Sequence, residues 1–352
     1  MKILSLFDGM ACMYLAMQAA GLDVESYDAY EIDETAIRTA THNFPDIREH
    51  GDVFDADFTE YENVDVLAGG SPCTYWSIAA AGKGQRETTA SGIGWDLFSQ
   101  YLRALKQAKP KYFIYENNAS MTSEIRDSIS KAFGFEPIMI NSSLVSAQNR
   151  KRLYWVGVRE NGSYKPIVIS QPEERGITMQ DIIENATAEK EKGYTITHQS
   201  GNARDYFKKH HTNVVFKPVQ VGVYPQKSGE QTKSKQYRVY STENKGVTIC
   251  GQGGGLGAKT GLYAIKGKQF EVKDRKITIG GKQYEIKLSD GWYEIRPLTV
   301  NETKRMQTVP DWYEFPCSDT QALKMLGNGW TVEVIAHILR EMFDDEQINL
   351  LC

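Results

Sequence analysis

"KILSLFDGMACMYLAMQAAGLDVESYDAYEID", residues 2–33, decides the fold. Lys2 to Phe7 reads as an apolar strand. Ala11 to Ala20 reads as a helix with Gly21 as its stop, and Val24 to Tyr30 as a second strand. The alternation continues downstream. A helix is expected over Glu34–Asn43, and a short strand before or including Asp52-Val53. Further strands are expected at Val64–Ala68 and Lys111–Tyr115, with a helix between them at Trp95–Lys106. A helix over Ser123–Phe133, stopped by Gly134, precedes two last strands at Pro137–Leu144 and Arg152–Val158. This rhythm predicts an α/β protein with a doubly wound, mostly parallel sheet covered on both faces.

From about residue 161 the texture changes. Gly, Lys, Gln and Tyr rise, and short β-like pieces alternate with turns, as in "KGKQFEVKDRKITIGGKQYEIKLSDGWYEI". The expected organisation is a first domain over 1–160, a smaller β-rich domain over 161–294, and a segment over 295–352 returning to the first. In that last segment helices are expected at Val300–Gln307 and Val332–Phe343, the second after a glycine turn, Gly327-Asn328-Gly329.

The 352 residues are 41% hydrophobic and 24% charged, an ordinary soluble balance. No apolar run approaches the roughly 20 residues of a membrane span, and the first residues are too short an apolar run for a secretory signal. Five scattered cysteines without a CxxC pair argue against a disulfide framework and a zinc site. A reducing cytoplasm is the expected compartment. The net charge of −4 is uneven: residues 196–290 carry 17 Lys and Arg against 7 Asp and Glu, which leaves −14 elsewhere. A basic block in an acidic chain points to a polyanion-binding surface or to a solvated lysine-rich face.

Ligands of such sheets sit at the carboxyl ends of the strands. Asp8-Gly9 lets backbone approach a ligand there, but the further glycines of a pyrophosphate loop are missing. Glu31 lies 22 residues after Gly9, where a carboxylate accepts from ribose hydroxyls, and Asp52 falls where an adenine amino group would be met. The ordered trio points to an adenosine-containing ligand without a pyrophosphate, such as S-adenosylmethionine. "AGGSPCTYW", residues 68–76, then places Cys73 at the end of the next strand, and "YFIYENN" ends another with Glu116-Asn117. A thiolate beside a carboxyl group makes sense where the acid donates a proton to a substrate that the thiolate attacks. In "AQNRKRLYW", Gln148, Arg150 and Arg152 alternate and would face one way in a strand.

"SPC", "ENN" and "QNRKR" after "FDGM", with "IRPLT" and "GNGW" to follow, make six ordered motifs over nearly the whole chain. In them the chain resembles the DNA (cytosine-5) methyltransferase family. "YRVYSTENKGVTICGQGGGLGAKTGLY" resembles phage and bacterial members, and the first motif resembles that of the vertebrate de novo enzymes. The resemblance implies transfer of a methyl group from S-adenosylmethionine to carbon 5 of a flipped-out cytosine in double-stranded DNA, with S-adenosylhomocysteine as product and no metal. It implies that Cys73 adds to carbon 6, that Glu116 bonds N3 and the exocyclic amine, and that Arg152 contacts O2, supported by Arg150 and Gln148. Asn117 and Pro72 would hold the loops. Phe7, Asp8, Gly9, Met10, Glu31, Ile32, Asp52, Val53, Pro72, Asn328 and Gly329 would line the donor site. Met13 departs from the family, which usually has glycine there, and puts donor affinity or donor preference in question.

By the same resemblance, residues 79–96 form a loop that closes over DNA, with Gln85 or Arg86 filling the gap left by the flipped base. Residues 161–294 correspond to the target-recognition region, with Arg204, Lys235, Gln236, Arg238 and Lys259 as candidate DNA contacts. The expected partner is double-stranded DNA, met by a monomer, with a cognate restriction enzyme as a second candidate. Three rivals stand beside this reading. They are a transfer-RNA cytosine-5 methyltransferase with the same motifs, a catalytically silent DNA-binding protein, and a nicotinamide oxidoreductase, which the missing pyrophosphate glycines disfavour.

Overall fold

The computed structural model describes residues 1–72, 75–77, 86–184, 220–223, 238–241, 262–279, 282–285, 290–296 and 299–343. The chain divides into two compact units. The first takes residues 1–141, 151–173 and those from 308 onward; the second takes 142–150 and 174–307. The division falls later than the change of texture at 161, because β8 (Ser163–Pro166) still pairs with β7 (Lys151–Glu160) of the first unit.

In the first unit, β1 (Lys2–Leu6), β2 (Ser26–Tyr30), β3 (Ile47–Glu49), β4 (Val66–Gly69), β5 (Tyr112–Asn118), β6 (Ile138–Asn141) and β7 lie in the order β3-β2-β1-β4-β5-β7-β6. Five of these pair in parallel, and only β7 runs against its neighbours β5 and β6. The doubly wound, mostly parallel sheet expected from the alternation is therefore present. Every residue of β4 and β5 is buried, as strands covered on both faces must be. The order reverses between β1 and β4, so the turns after these two strands diverge and open a crevice at their carboxyl ends.

The helices begin and end where capping chemistry allows. α1 (Cys12–Ala20) ends at Gly21, whose left-handed backbone turns its N–H back to Gln18 and Met17. α2 (Glu34–Asn43) starts at Asp33, whose carboxylate accepts from the N–H groups of Thr35 and Ala36. α3 (Ile93–Ala108) lays Phe98 and Tyr101 against Tyr115 and Phe133, the heart of the core. α4 (Ser123–Phe133) runs from Thr122 to Gly134. α8 (Val332–Met342), the last helix of the described chain, packs on α1, so the chain re-enters the first unit, from residue 308 rather than from 295 as expected.

In the second unit, α5 (Met179–Ile182) and α6 (Val300–Met306) accompany a sheet of six strands among the described residues. It comprises β9 (Gln220–Val223), β10 (Arg238–Ser241), β11 (Leu262–Lys273), β12 (Lys276–Ile279), β13 (Lys282–Glu285) and β14 (Gly291–Arg296). The β-like texture of the sequence is thus realised. Asp274 and Arg275, both with φ above 50°, make the two-residue turn between β11 and β12. Among the described residues no helix is long and apolar enough to cross a membrane.

Candidate active site

The turn after β1 is tightly specified. Phe7, Gly9 and Ala11 all have φ near +60°, which leaves Gly9 as the one residue of the three without a steric cost. Such strain persists only where the surroundings impose it. Here the Gly9 N–H donates to Glu31 Oε2 at 2.9 Å, and Tyr313 donates to the Met10 carbonyl at 2.8 Å. Glu31 Oε1 accepts from the N–H groups of Ile32 and Asp33 at 2.8 and 2.9 Å. Three of the carboxylate's four lone-pair sites are thus used, and Oε2 can accept once more. Ile32 beside it is 71% exposed.

At the end of β3 the chain turns through exposed Asp52, whose Oδ1 accepts from the Phe54 N–H at 3.0 Å. Arg103 of α3 pins this turn by donating to the carbonyls of Val53 and Ala56 at 2.5 and 2.6 Å. Val53 is buried, whereas Phe54 is 51% exposed. The strand itself is Ile47–Glu49, so Asp52-Val53 follow it rather than belong to it. Met13 is buried in α1, one residue past its start.

Beneath the turn lies a carboxyl pair, of which Glu49 was not legible from the motifs. Ser5, Ala29 and Glu49 are register partners on β1, β2 and β3, so their side chains share one face. Asp8 reaches the same face, where Ser5 and Tyr27 each donate to its Oδ1 at 2.5 Å. Asp8 Oδ2 and both Glu49 oxygens are buried without a hydrogen-bond partner among the described residues. Burial raises the Asp8 carboxyl to about 6, and burial with the nearby charges of Asp8 and Glu31 raises Glu49 to about 8. A raised acid binds more protons folded than unfolded, so Glu49 costs stability as pH climbs from 4.5 through about 8. Glu49→Gln is therefore expected to raise the melting temperature, and by more at pH 9 than at pH 5. A pH-independent difference in thermal denaturation would contradict this.

The second centre lies at the ends of β4 and β5. β5 continues past Tyr115 through Glu116-Asn117-Asn118 because β7 pairs with it down to Asn118 and Arg152. Glu116 and Arg152 meet across this ladder, with Arg152 Nε 2.8 Å from Glu116 Oε1. The Trp330 indole N–H donates to the other oxygen, Oε2, at 2.9 Å. Glu116 is 8% exposed, so these are charge-assisted contacts largely shielded from water. A Cβ on Gly70 would lie 2.8 Å from the Glu116 carbonyl and 2.9 Å from Oε2, so only glycine admits this approach. The next residue is also tied in. Asn117 Nδ2 donates to the Ser71 carbonyl at 3.2 Å, and the Ser71 and Tyr115 hydroxyls bond at 2.7 Å. The loop that enters Cys73 is thereby anchored beside Glu116 up to exposed Pro72.

Other candidate residues are placed differently. Cys73, Gln85, Arg204, Lys235, Gln236 and Lys259 lie outside the described residues, and Arg238 opens β10. Arg86 spends its guanidinium on the carbonyls of Ser120 and Trp76, at 2.7 and 3.3 Å. Gln148 and Arg150 do not alternate with Arg152 on one strand. β7 begins at Lys151, and both residues cluster with the second unit. There the Gln148 amide donates to the Met306 carbonyl and the Gln307 side chain, at 3.2 and 2.9 Å, while the Arg150 carbonyl accepts from Ser142. Asn328 ends the helix α7 (Asp319–Asn328) and Gly329 caps it, so a helix stands where a glycine turn was expected.

A sequence profile described as C-5 cytosine-specific DNA methylase matches residues 1–344. The chain belongs to this family. Among curated methylases, the orphan methyltransferase M.SPRI of Bacillus phage SPR is 31% identical over 173 residues, 46% of this chain and 38% of that enzyme. The chain thus aligns with well under half the length of that relative. The type II methyltransferase M.Eco47II of Escherichia coli is 30% identical over 355 residues, 94% of this chain and 76% of that enzyme. A crystal structure of a Spodoptera frugiperda DNMT2 mutant shares the fold, with a TM-score of 0.61 at 16% identity over 97% of this chain and 99% of that one. The edge of this methylase chain that carries Gly9 and Glu31 has the chemistry to fit an adenosyl group. It sets exposed apolar Ile32 and Phe54 beside carboxylates that can accept from hydroxyl and amino groups, and the Cβ-less Gly9 beside Glu31.

Proposed function

We propose that the chain transfers a methyl group to carbon 5 of a cytosine extruded from double-stranded DNA. The observation that carries this reading is the buried Glu116 held by Arg152 and Trp330, next to the anchored Gly70-Ser71-Pro72 strand end that leads into Cys73. Cytosine carbon 5 is too poor in electrons to take a methyl group unaided. Addition of the Cys73 thiolate to carbon 6 makes an enamine and turns carbon 5 into the nucleophile. Glu116 holds N3 and the exocyclic amine, where charge develops during addition, and Arg152 lies beside it to meet O2. After methyl transfer the carbon 5 proton leaves and the thiol is eliminated.

S-adenosylmethionine, when bound, supplies the electrophilic methyl group. Phe7, Asp8, Gly9, Met10, Glu31, Ile32, Asp52, Val53, Asn328 and Gly329 would hold it. Glu31 offers its remaining lone pair to the ribose and Asp52 its carboxylate to the adenine amine. The basic block of the second unit supports the DNA reading, since a surplus of ten positive charges suits phosphate contacts whose affinity falls steeply with salt. Base readout, with Arg204, Lys235, Arg238 and Lys259 as candidates, and closure of Gln85 and Arg86 over the flipped site belong to the same reading. So do a monomeric, metal-free enzyme in a bacterial cytoplasm and a cognate restriction enzyme as partner.

The test offers the full chain tritium-labelled S-adenosylmethionine with either duplex DNA or transfer RNA. Label at cytosine carbon 5 of the DNA is expected. Label in the RNA alone, or in neither, would overturn the assignment.

A further inference from the structure

Trp330 is the single residue between two helix caps. Gly329 caps α7 and donates its N–H to Met325 at 2.7 Å, while Thr331, 1% exposed, caps α8 and accepts from Val334. With both neighbours fixed, the backbone that carries the indole is held in place. The indole points its one donor at Glu116 Oε2, 2.9 Å away. The space for that contact is set by Gly70, where an added Cβ would come within 3.4 Å of Trp330 Nε1 and 2.9 Å of Glu116 Oε2. On its other side the same turn leans on the donor loop. A Cβ on Gly329 would lie 2.9 Å from Cys12 Sγ and 3.7 Å from Met10 Sδ.

A carboxyl group rotates freely about its last bond unless both oxygens are engaged. Arg152 engages one oxygen of Glu116, and among the described residues the indole engages the other. We propose that Trp330 is a positioning residue for Glu116: its N–H fixes the plane of the carboxyl group, and the turn Gly329-Trp330 ties that plane to the donor loop. A carboxyl group pinned by Arg152 alone could twist away from the edge of an incoming pyrimidine, and orientation errors of this kind lower the rate without weakening binding. The inference rests on the reading that Glu116 engages the cytosine.

Trp330→Phe keeps the ring and removes the donor. Single-turnover methyl transfer is expected to slow about tenfold, with the KM for S-adenosylmethionine changed less than twofold, because the Gly329 contact with the donor loop remains. In a double-mutant cycle with Glu116→Gln, the Trp330→Phe effect should shrink to less than twofold, since its target is already altered. Independent multiplication of the two effects, or a raised donor KM at unchanged rate, would overturn the inference while leaving Glu116 in place. A Glu116→Gln rate equal to wild type would instead remove the reading on which it rests. Should Trp330→Phe fold poorly, the 15N-indole spectrum of the wild-type chain decides. The Trp330 N–H resonance should move strongly on Glu116→Gln, and an unmoved resonance would contradict the contact.

Discussion

Cys73→Ser is expected to cut methyl transfer by at least about a thousandfold and to leave duplex DNA binding within about threefold of wild type. A thiol has a few per cent of thiolate at neutral pH and is intrinsically nucleophilic, whereas a serine hydroxyl is almost wholly protonated and has no base assigned to it here. Among the described residues no other cysteine is placed to replace the lost attack. Cys12 is buried at the start of α1, and Cys317 lies just before the start of α7. On the proposed reading DNA affinity should survive, because phosphate contacts from the basic block over 196–290 would supply it rather than one sulfur. Filter binding alongside a tritium-transfer assay separates the two. A variant methylating within tenfold of wild type would show that another group is the nucleophile.

Glu116→Gln carries the second large effect, a loss of roughly a hundredfold to a thousandfold in single-turnover rate. The substitution is isosteric, but its chemistry is wrong on both sides. Arg152 Nε and the Trp330 indole are both donors, 2.8 and 2.9 Å from the two oxygens of the acid. A carboxamide can accept only with its oxygen, so its NH2 group must face one of the two donors. One buried contact is thereby lost as well as the acid, which should cost about 1–3 kcal/mol of stability. Thermal denaturation and transfer assays together check this. A variant that melts as the wild type does and methylates within threefold would refute the assigned geometry.

The parts of the fold legible in the sequence are those whose causes are local. α2 and α4 begin and end at their expected residues because Asp33, Thr122 and Gly134 act on main chain within a few positions. The placing of Gly9 and Glu31 at one sheet edge was legible for the same reason, since both sit on turns that follow apolar strands. What escaped depends on distant partners. β5 was expected over Lys111–Tyr115 with Glu116-Asn117 at its end, yet Glu116-Asn117-Asn118 are full members of the sheet because β7 supplies their hydrogen bonds. Gln148 looked like the first of three alternating side chains, but its amide is claimed by Gln307, 159 residues away. The helix α7 was missed in favour of a glycine turn, although Ser318 and Gln321 form a capping box at its start. Glu49 carries no motif, and the burial of its carboxyl oxygens follows from the pairing of β2 with β3. Trp330 stood in view after Gly329, but its partner Glu116 lies 214 residues earlier.

The central claim is a sulfur–carbon bond, and a duplex bearing 5-fluorocytosine at the target position tests it most directly. Fluorine cannot leave as the proton does, so with S-adenosylmethionine present the reaction should halt with the DNA joined to the protein. Intact-mass and peptide analysis should then find the methylated nucleotide on the peptide containing Cys73. A join at a different residue, or full turnover of cytosine duplex with no join to the fluorinated one, would contradict the account.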